Sequence, residues 1–435
     1  MASERTALLP RQTQAHTHSD IPEVTVLSSL AALWQSNKLF NIAALIFVPL
    51  GAASARLGWA DTWIFALNFC AIIPLAKMLD FSTDQLAMRT GPTIGGLLNA
   101  TFGNAVELIL SVFALREGLL DVVKASIIGS ILSNLLLVLG FCFLFGGLIP
   151  FVKNKFQKFD VDKANVSTGL LVLTFLGFLV PAVVRVTLED QTADPSDSVS
   201  RVLAISRGIA FVLLLSYVAL LVFQLYTNPD GLLVTPRRPH PTNPRLAHSG
   251  THEEGGEEED EEEEPITLAW MALLSLALTT VVIAFSAEML VGSVEGLSKE
   301  AHISEVFIGI IILPIVGNAA EHVTAISSAM RDKMDLSLQV AVGSALQIAL
   351  LVAPAIVLSG WAMDKNMDLD FGLFSTAILF VTVLVVNSLI QDGRTHWLEG
   401  WMLLAAYFII AIGFYYIPEK TEIVNVVMSV LASRS

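Results

Sequence analysis

Gly103-Asn104-Ala105-Val106-Glu107 and, 214 residues later, Gly317-Asn318-Ala319-Ala320-Glu321 are two copies of one polar pattern, each set inside a long apolar run. The register holds around them. Ile94-Gly95 returns as Ile308-Gly309, and Gly129-Ser130 as Gly343-Ser344, at the same offset. An upstream block, Phe81-Ser82-Thr83-Asp84-Gln85-Leu86, pairs with Phe285-Ser286-Ala287-Glu288-Met289-Leu290 at an offset of 204, which places a ten-residue insertion near Ser293 to His302. Polar residues kept in register over such a distance mark an internal duplication.

The flanking apolar runs give the scale of the duplicated unit. A membrane-crossing helix needs about 20 mostly apolar residues. Runs of that kind predict eleven spans, near 38–57, 62–79, 94–115, 121–149, 164–186, 202–226, 266–294, 303–330, 335–361, 371–391 and 396–417. The expected fold class is therefore an all-α polytopic membrane protein: a peripheral first span (38–57) followed by two five-helix repeats (62–226 and 266–417). Five spans is an odd number, so the second unit is inverted relative to the first. Many secondary transporters are built this way, with the site near the bilayer midplane where the halves meet. Residues 1–37 read as a polar cytosolic tail with no apolar stretch behind a basic start, which excludes a cleavable signal peptide. Residues 418–435 read as a C-terminal tail. With the N-terminus in the cytosol, Lys and Arg divide as 15 inside and 10 outside, the bias the positive-inside rule favours.

Composition excludes other classes. A chain of 435 residues that is 54% hydrophobic and 15% charged is too apolar for an ordinary soluble protein, and Lys+Arg 25 against Asp+Glu 40 argues against a nucleic-acid binder. The net charge of -15 is concentrated: Glu253 to Glu264 holds ten carboxylates in twelve residues. Residues 228–264 thus form a cytosolic linker, rich in Pro, Arg, Asn and His up to His252 and ending in the run Glu257, Glu258, Glu259, Asp260, Glu261, Glu262, Glu263 and Glu264. Like charges at that density stay solvated as a spacer, or, when divalent ions screen them, fold into a helix at the cytosolic mouth that attracts or gates cations. Cys70 and Cys142 lie in apolar runs without a neighbouring His and read as apolar filler.

The chemistry sits in the duplicated motifs. A charge in mid-membrane costs about 2.5 to 3.5 kcal/mol on insertion scales, so Glu107 and Glu321 need partners or a bound ion. Asn104 and Asn318 precede them by three residues, which puts amide and carboxylate on one helix face. Gly103 and Gly317, with Pro314 just upstream of the second, are expected to loosen the helix and free backbone carbonyls. Ser130, Ser133, Asn134, Ser344 and Gln347 add oxygens from neighbouring spans; taken singly, Ser130, Ser133, Ser344 and Gln347 equally fit residues that only tie helices together. His322 points about 100° away from Glu321 on a helix and equally fits a bond across a helix interface. Two carboxylates with amide, hydroxyl and carbonyl oxygens suit calcium, with about 6 to 8 hard oxygen ligands, and manganese fits the same donors.

The two motifs, with a Gly-Ser pair 26 residues past each motif glycine and an acidic run between the halves, resemble the signature repeats of the cation/proton exchanger family. The pattern, from about residue 38 to 417, is similar to that of fungal vacuolar calcium/proton exchangers. The resemblance implies that Glu107 and Glu321 bind calcium and protons in turn, with Asn104 and Asn318 as further ligands. It implies supporting roles for Ser130, Ser344, Gln347 and His322, and places Asp84 and Glu288 nearer the cytosolic entrance. It favours the gating reading of the acidic tract. No resident cofactor is implied; the ligands are calcium and protons, and the surroundings are the bilayer of the vacuole.

Alternating occupancy of one site gives antiport, since a carboxylate out of water takes up a proton readily and calcium favours its deprotonated form. Two alternatives remain at this stage. A passive cation channel would not concentrate its ion against a gradient, and a sodium-coupled exchanger would stop when sodium is replaced. No His-Glu-x-x-His or comparable set points to a membrane metalloenzyme. Glu4-Arg5-Thr6-Ala7-Leu8-Leu9 resembles an acidic dileucine sorting signal for the vacuole or lysosome.

Overall fold

The structure is a computed structural model that describes residues 25–36, 38–148, 156–191, 195–227 and 265–417. The acidic run 253–264 and the dileucine motif at 4–9 lie outside the described residues.

The first element corrects the sequence reading. Helix α1 (Val26–Gln35) lies within the stretch read as a polar tail. Thr25 caps its start by accepting a hydrogen bond from the Ser28 amide at 3.2 Å, and Asn41 closes its end by donating to the carbonyls of Leu33 and Trp34 at 2.8 and 2.9 Å. Val26, Leu27, Leu30 and Trp34 stay exposed, as suits a helix lying on lipid.

Helix α2 (Lys38–Arg56) crosses next, followed by α3 (Asp61–Phe102), which bends at Gly91. Gly91 has φ 81° and ψ 171°, a backbone shape that only glycine adopts freely, and Pro92 restarts the helix after it. Then come α4 (Ala105–Glu117), α5 (Leu120–Leu132), a wide π-type turn over 133–138, and α6 (Leu139–Leu148). A two-residue strand β1 (Gln157–Lys158) precedes α7 (Val161–Gln191) and α8 (Pro195–Val222). The second half opens with α9 (Ala269–Gly292) and a short helix α10 (Val294–Ala301), which falls where the repeat comparison places its insertion. It continues through α11 (Glu305–Phe307), a π-type turn over 308–312, α12 (Leu313–Gly317) and α13 (Ala319–Met330). The rod α14 (Met334–Gln347), another wide turn over 348–352 and α15 (Ala353–Ala362) lead to α16 (Leu373–Ile390), strand β2 (Arg394–Thr395) and α17 (Trp397–Tyr415). The strands pair antiparallel, Gln157 opposite Thr395.

Among the described residues nine helices are long and apolar enough to cross a membrane, or up to ten if the bent pair Val294–Ala301 and Glu305–Gly317 makes one span. The difference from the eleven expected runs has a local cause. The runs expected at 94–115 and 303–330 are each interrupted at the duplicated motif, so neither is one continuous helix. Burial sorts the rest. In the rods Leu120–Leu148 and Met334–Ala362, 89% and 72% of the apolar window is buried, against 22% for α2, so these two rods form the centre of the bundle. Leu215, Leu278, Phe408 and Ile409 on the outer helices are exposed, which in a membrane means that they face lipid.

The loop 363–372 closes the far end of the α14–α15 rod. Asp368 there, 3% exposed, accepts from Lys124 of α5 and, at 2.9 Å, from Arg185 of α7; Asp370 pairs with the same arginine. The Leu369 amide donates to Ser206 of α8 at 3.0 Å. The loop, α5 and α7 are thus fastened together by charges that balance one another, which buried carboxylates require, and α8 is tied in by a neutral hydrogen bond.

Candidate functional site

Both motifs break their helix, at the asparagine rather than the glycine. Asn104 has φ -109° and ψ 26°, and Asn318 has φ -87° and ψ 15°, whereas Gly103 keeps helical angles of -57° and -39°. The expectation that the glycines loosen the helix is corrected accordingly. Asn104 and Asn318 occupy the caps of α4 and α13, and Glu107 and Glu321 lie in the first turns. Gly317 contributes space: a Cβ there would lie 3.0 Å from Oε1 of Glu107.

The two halves complete each other's sites. Asn104 donates through Nδ2 to Oε1 of Gln347 at 2.5 Å, and its Oδ1 accepts from Ser344 at 3.2 Å. Ser344 accepts in turn from Asn134 at 2.9 Å. In the other direction, Asn318 donates through Nδ2 to the backbone carbonyl of Ser130 at 3.4 Å. Each motif asparagine thus leans on the central rod of the opposite half. His322 Nδ1 lies 2.6 Å from the carbonyl of Asn318 on its own helix, so that nitrogen does not bond across an interface as its position also allowed.

The arrangement leaves acceptors unpaired. Both oxygens of Glu107, which is 6% exposed, have no hydrogen-bond partner, and neither do Oδ1 of Asn318, Oδ1 of Asn134, Oγ of Ser133 and Oε2 of Glu321. Buried acceptors are almost always paired, so a cluster of orphans asks for a positive ligand. Among the described residues no three His, Cys, Asp or Glu side chains come together as a metal cluster. A cation here is therefore held by at most two carboxylates with neutral oxygens around them, a set for a hard ion rather than for zinc or copper.

A cavity of about 300 Å³ reaches down to Glu321, walled by Asp80, Asp84, Asn99, Gln339 and Gln347 among others. Its lining also includes Gln224, close to the point where residues 228–264 attach. A second, much smaller space of about 10 Å³, which shares Gly317 with the first, touches Glu107, Ser126 and Ser130, enough for about one water. Glu321 thus lines the broad cavity and Glu107 the small one.

One sequence expectation fails here. Asp84 lines the cavity, but Glu288 does not, although the family resemblance puts both near the cytosolic entrance. The start of α9 meets α3 close to Asp84: Gln85 accepts from the amides of Ile266 and Thr267 at 2.9 and 3.1 Å. Glu288 sits some twenty residues further along α9, which at 1.5 Å per residue is about 30 Å away, at the other end of the helix. Lys77, Asp80 and Thr324, which sequence reasoning passes over, form a bonded group beside the cavity: Lys77 Nζ donates to Asp80 at 2.6 Å and to Thr324 at 3.0 Å. The available signal is a Lys and an Asp three apart within a run that stays helical to Gly91.

A bundle with broken helices, unpaired carboxylates at the breaks and a cavity reaching one of them defines an ion transporter of the membrane-exchanger class. The profile of the sodium/calcium exchanger protein family matches residues 60–226 and 271–416, and the chain belongs to that family. It is 43% identical over 381 residues to the vacuolar calcium ion transporter of Schizosaccharomyces pombe, covering 87% of this chain and 85% of that protein. It is 41% identical over 379 residues to a Ca(2+)/H(+) antiporter of Aphanothece halophytica, covering 87% of this chain and 97% of that one. Among solved structures it is similar to the Ca2+/H+ antiporter protein YfkE, with a TM-score of 0.69 and 36% identity over 88% of this chain and all of that chain.

Proposed function

We propose that the protein is a secondary antiporter that loads calcium from the cytosol into the vacuole in exchange for luminal protons. The observation that carries this reading is the set of unpaired buried acceptors on Glu107, Asn318 and Glu321 at the two helix breaks, with Glu321 lining a broad cavity. Relatives named as vacuolar calcium transporters and calcium/proton antiporters support it. In this reading Glu107 and Glu321 are the shared ligands, Asn104 and Asn318 further ligands, and Ser130, Ser344, Gln347 and His322 their support. Calcium holds both carboxylates ionised, and protons from the acidic lumen neutralise them once it leaves, so the two ligands exclude each other. Manganese meets the same donors.

The two interrupted runs, 92–117 and 305–330, bring the spans to eleven, and two inverted five-helix repeats follow with the N-terminus in the cytosol. The broad cavity then faces the cytosol, and protons arrive from the side of Glu107. The test is uptake into acid-loaded proteoliposomes across a panel of divalent cations. Calcium is expected to accumulate uphill, to collapse on adding a protonophore, and to be indifferent to replacing sodium with choline. Uptake that only equilibrates would indicate a channel, and arrest in choline a sodium exchanger.

The reading extends to the acidic run, which ends one residue before Pro265; the carbonyls of Pro265 and Thr267 accept hydrogen bonds from Arg89 of α3. Deleting Glu257 to Glu264 is expected to shift the cytosolic calcium dependence of transport. An unchanged titration would reduce the tract to a spacer.

A further inference from the structure

We propose that the groove between α1 and the helices beside it is a phospholipid site, which takes one acyl chain inside and holds the lipid phosphate beside Lys38. The site lies apart from the duplicated motifs, and it stands whichever ion the protein carries.

The groove has a volume of about 440 Å³. Leu30, Leu33 and Trp34 line it from one face of α1, and Asn41, Ala44, Leu45, Val48 and Pro49 from one face of α2. Leu75 and Met78 of α3 and Val282 of α9 complete the wall. Asn41 keeps α1 in place over α2, since its Nδ2 donates to the carbonyls of Leu33 and Trp34 at 2.8 and 2.9 Å. Among the described residues no side chain lining the groove is charged. Leu30, Trp34 and Leu45 are at the same time exposed, so the groove is continuous with the lipid-facing surface of α1 and α2. An apolar space stays dry, and one that opens onto lipid fills with hydrocarbon.

Size, depth and charge select the occupant. At the ~30 Å³ share of a water-sized group, the space holds about fifteen methylene-sized groups, the content of one acyl chain. Asn41 to Pro49 spans about 12 Å at 1.5 Å per residue, close to the ~15 Å hydrocarbon depth of one leaflet. The groove therefore starts at the junction of α1 and α2, at the level of the interfacial helix, and ends near mid-membrane. Lys38 stands exposed at that junction as the first residue of α2, three residues before Asn41 and on the same face. An ammonium at the membrane surface attracts lipid phosphate. A sterol brings no phosphate to it. The chain's own residues 1–24 have no apolar run longer than Ala7 to Pro10, too short to fill the groove. Leu75 and Met78 alternate along α3 with Ala76, Leu79 and Asp80 of the broad cavity, so one stretch of helix separates the lipid tail from that cavity.

The experiment is native mass spectrometry of the full chain purified in mild detergent, with thermal unfolding after delipidation and after adding back phosphatidylglycerol. Wild type is expected to retain one phospholipid per chain, and added phosphatidylglycerol to raise its unfolding temperature. Val48→Trp fills the groove and is expected to lower retention by about tenfold or more and to abolish the rise. Lys38→Glu is expected to weaken retention of phosphatidylglycerol about tenfold, and Lys38→Arg to keep it. Equal retention in wild type and Val48→Trp, or no retention in wild type even after add-back, would overturn the proposal. A retained sterol would overturn it as well, and so would a groove that accepts phosphatidylglycerol only once residues 1–24 are removed, because each names another occupant. If Val48→Trp does not yield a monodisperse protein, Lys38→Glu decides, since an exposed residue can be exchanged without disturbing the packing. Weakened retention there supports the site, and unchanged retention removes it.

Discussion

Glutamine in place of Glu107 is expected to lower proton-driven calcium uptake by about a hundredfold or more, to the background of empty liposomes, while the folded protein becomes no less stable. The two halves of that expectation share one cause. Both Glu107 oxygens are buried without a protein partner, so the carboxylate contributes nothing to the apo fold that an amide of equal size does not. An ionised carboxylate out of water is costly, and the neutral amide removes that cost. For the ion the exchange is unfavourable twice over: a full negative charge is lost, and an N–H donor replaces one of the oxygens. The amide also neither takes up nor releases a proton in this pH range, so the return half of the cycle stops. Uptake assays and thermal unfolding in detergent read the two effects separately. Wild-type transport in Glu107→Gln would sink the two-carboxylate site, and a large fall in unfolding temperature would show that Glu107 holds the fold instead.

A second large effect is expected at Gly129, where alanine should cost about 3 kcal/mol of stability. Helix α5 crosses the 308–312 turn with backbone against backbone. A Cβ at Gly129 would overlap the carbonyl oxygen of Ile310 and lie 2.6 Å from its Cα. The contact is reciprocal, since a Cβ at Gly309 would lie 2.7 Å from that of Ala125 and 3.0 Å from the Val122 carbonyl. Small residues spaced by four let membrane helices approach this closely, and no rotamer change relieves a clash with main chain. Gly343, the sequence counterpart of Gly129, is surrounded by open space, with nothing within 4 Å of the place a methyl group would take. Gly343→Ala is therefore the control and should unfold at the wild-type temperature. Equal stability of the two variants would show that the α5 crossing yields more readily than its geometry indicates.

The helical membrane class was legible in the sequence because apolar length is a property of composition, and the motif residues were legible because the duplication puts Glu107 and Glu321 in register inside apolar runs. What stayed hidden depends on how distant segments meet. Nothing local to Asn104 reveals that its amide faces Gln347, nor that Asn318 reaches the carbonyl of Ser130. Lys77 and Asp80 escaped because the span expected at 62–79 contains Lys77 and ends just before Asp80, whereas the helix runs on: the two charges neutralise each other one turn apart and α3 continues to its bend at Gly91. Glu288 was misplaced because the resemblance sets it beside Asp84, whereas α9 runs antiparallel to α3: Gln85 meets Ile266, Ser82 meets Ser275 and Thr62 meets Glu300, so Glu288 lies at the opposite end from Asp84. Helix α1 was missed because its apolar face is short and its caps come from Thr25 and from Asn41 on the next helix.

The contrast between the two matched glycines also selects a place for a spectroscopic label. Position 343 lines the broad cavity and has open space around it, while position 129 has none. The native thiols compete little for such chemistry, since Cys142 is buried and Cys70 partly so. A fluorophore attached at a cysteine in place of Gly343 would sit in the water of the cavity, and its emission would follow the wetting and drying of that cavity as ions are exchanged.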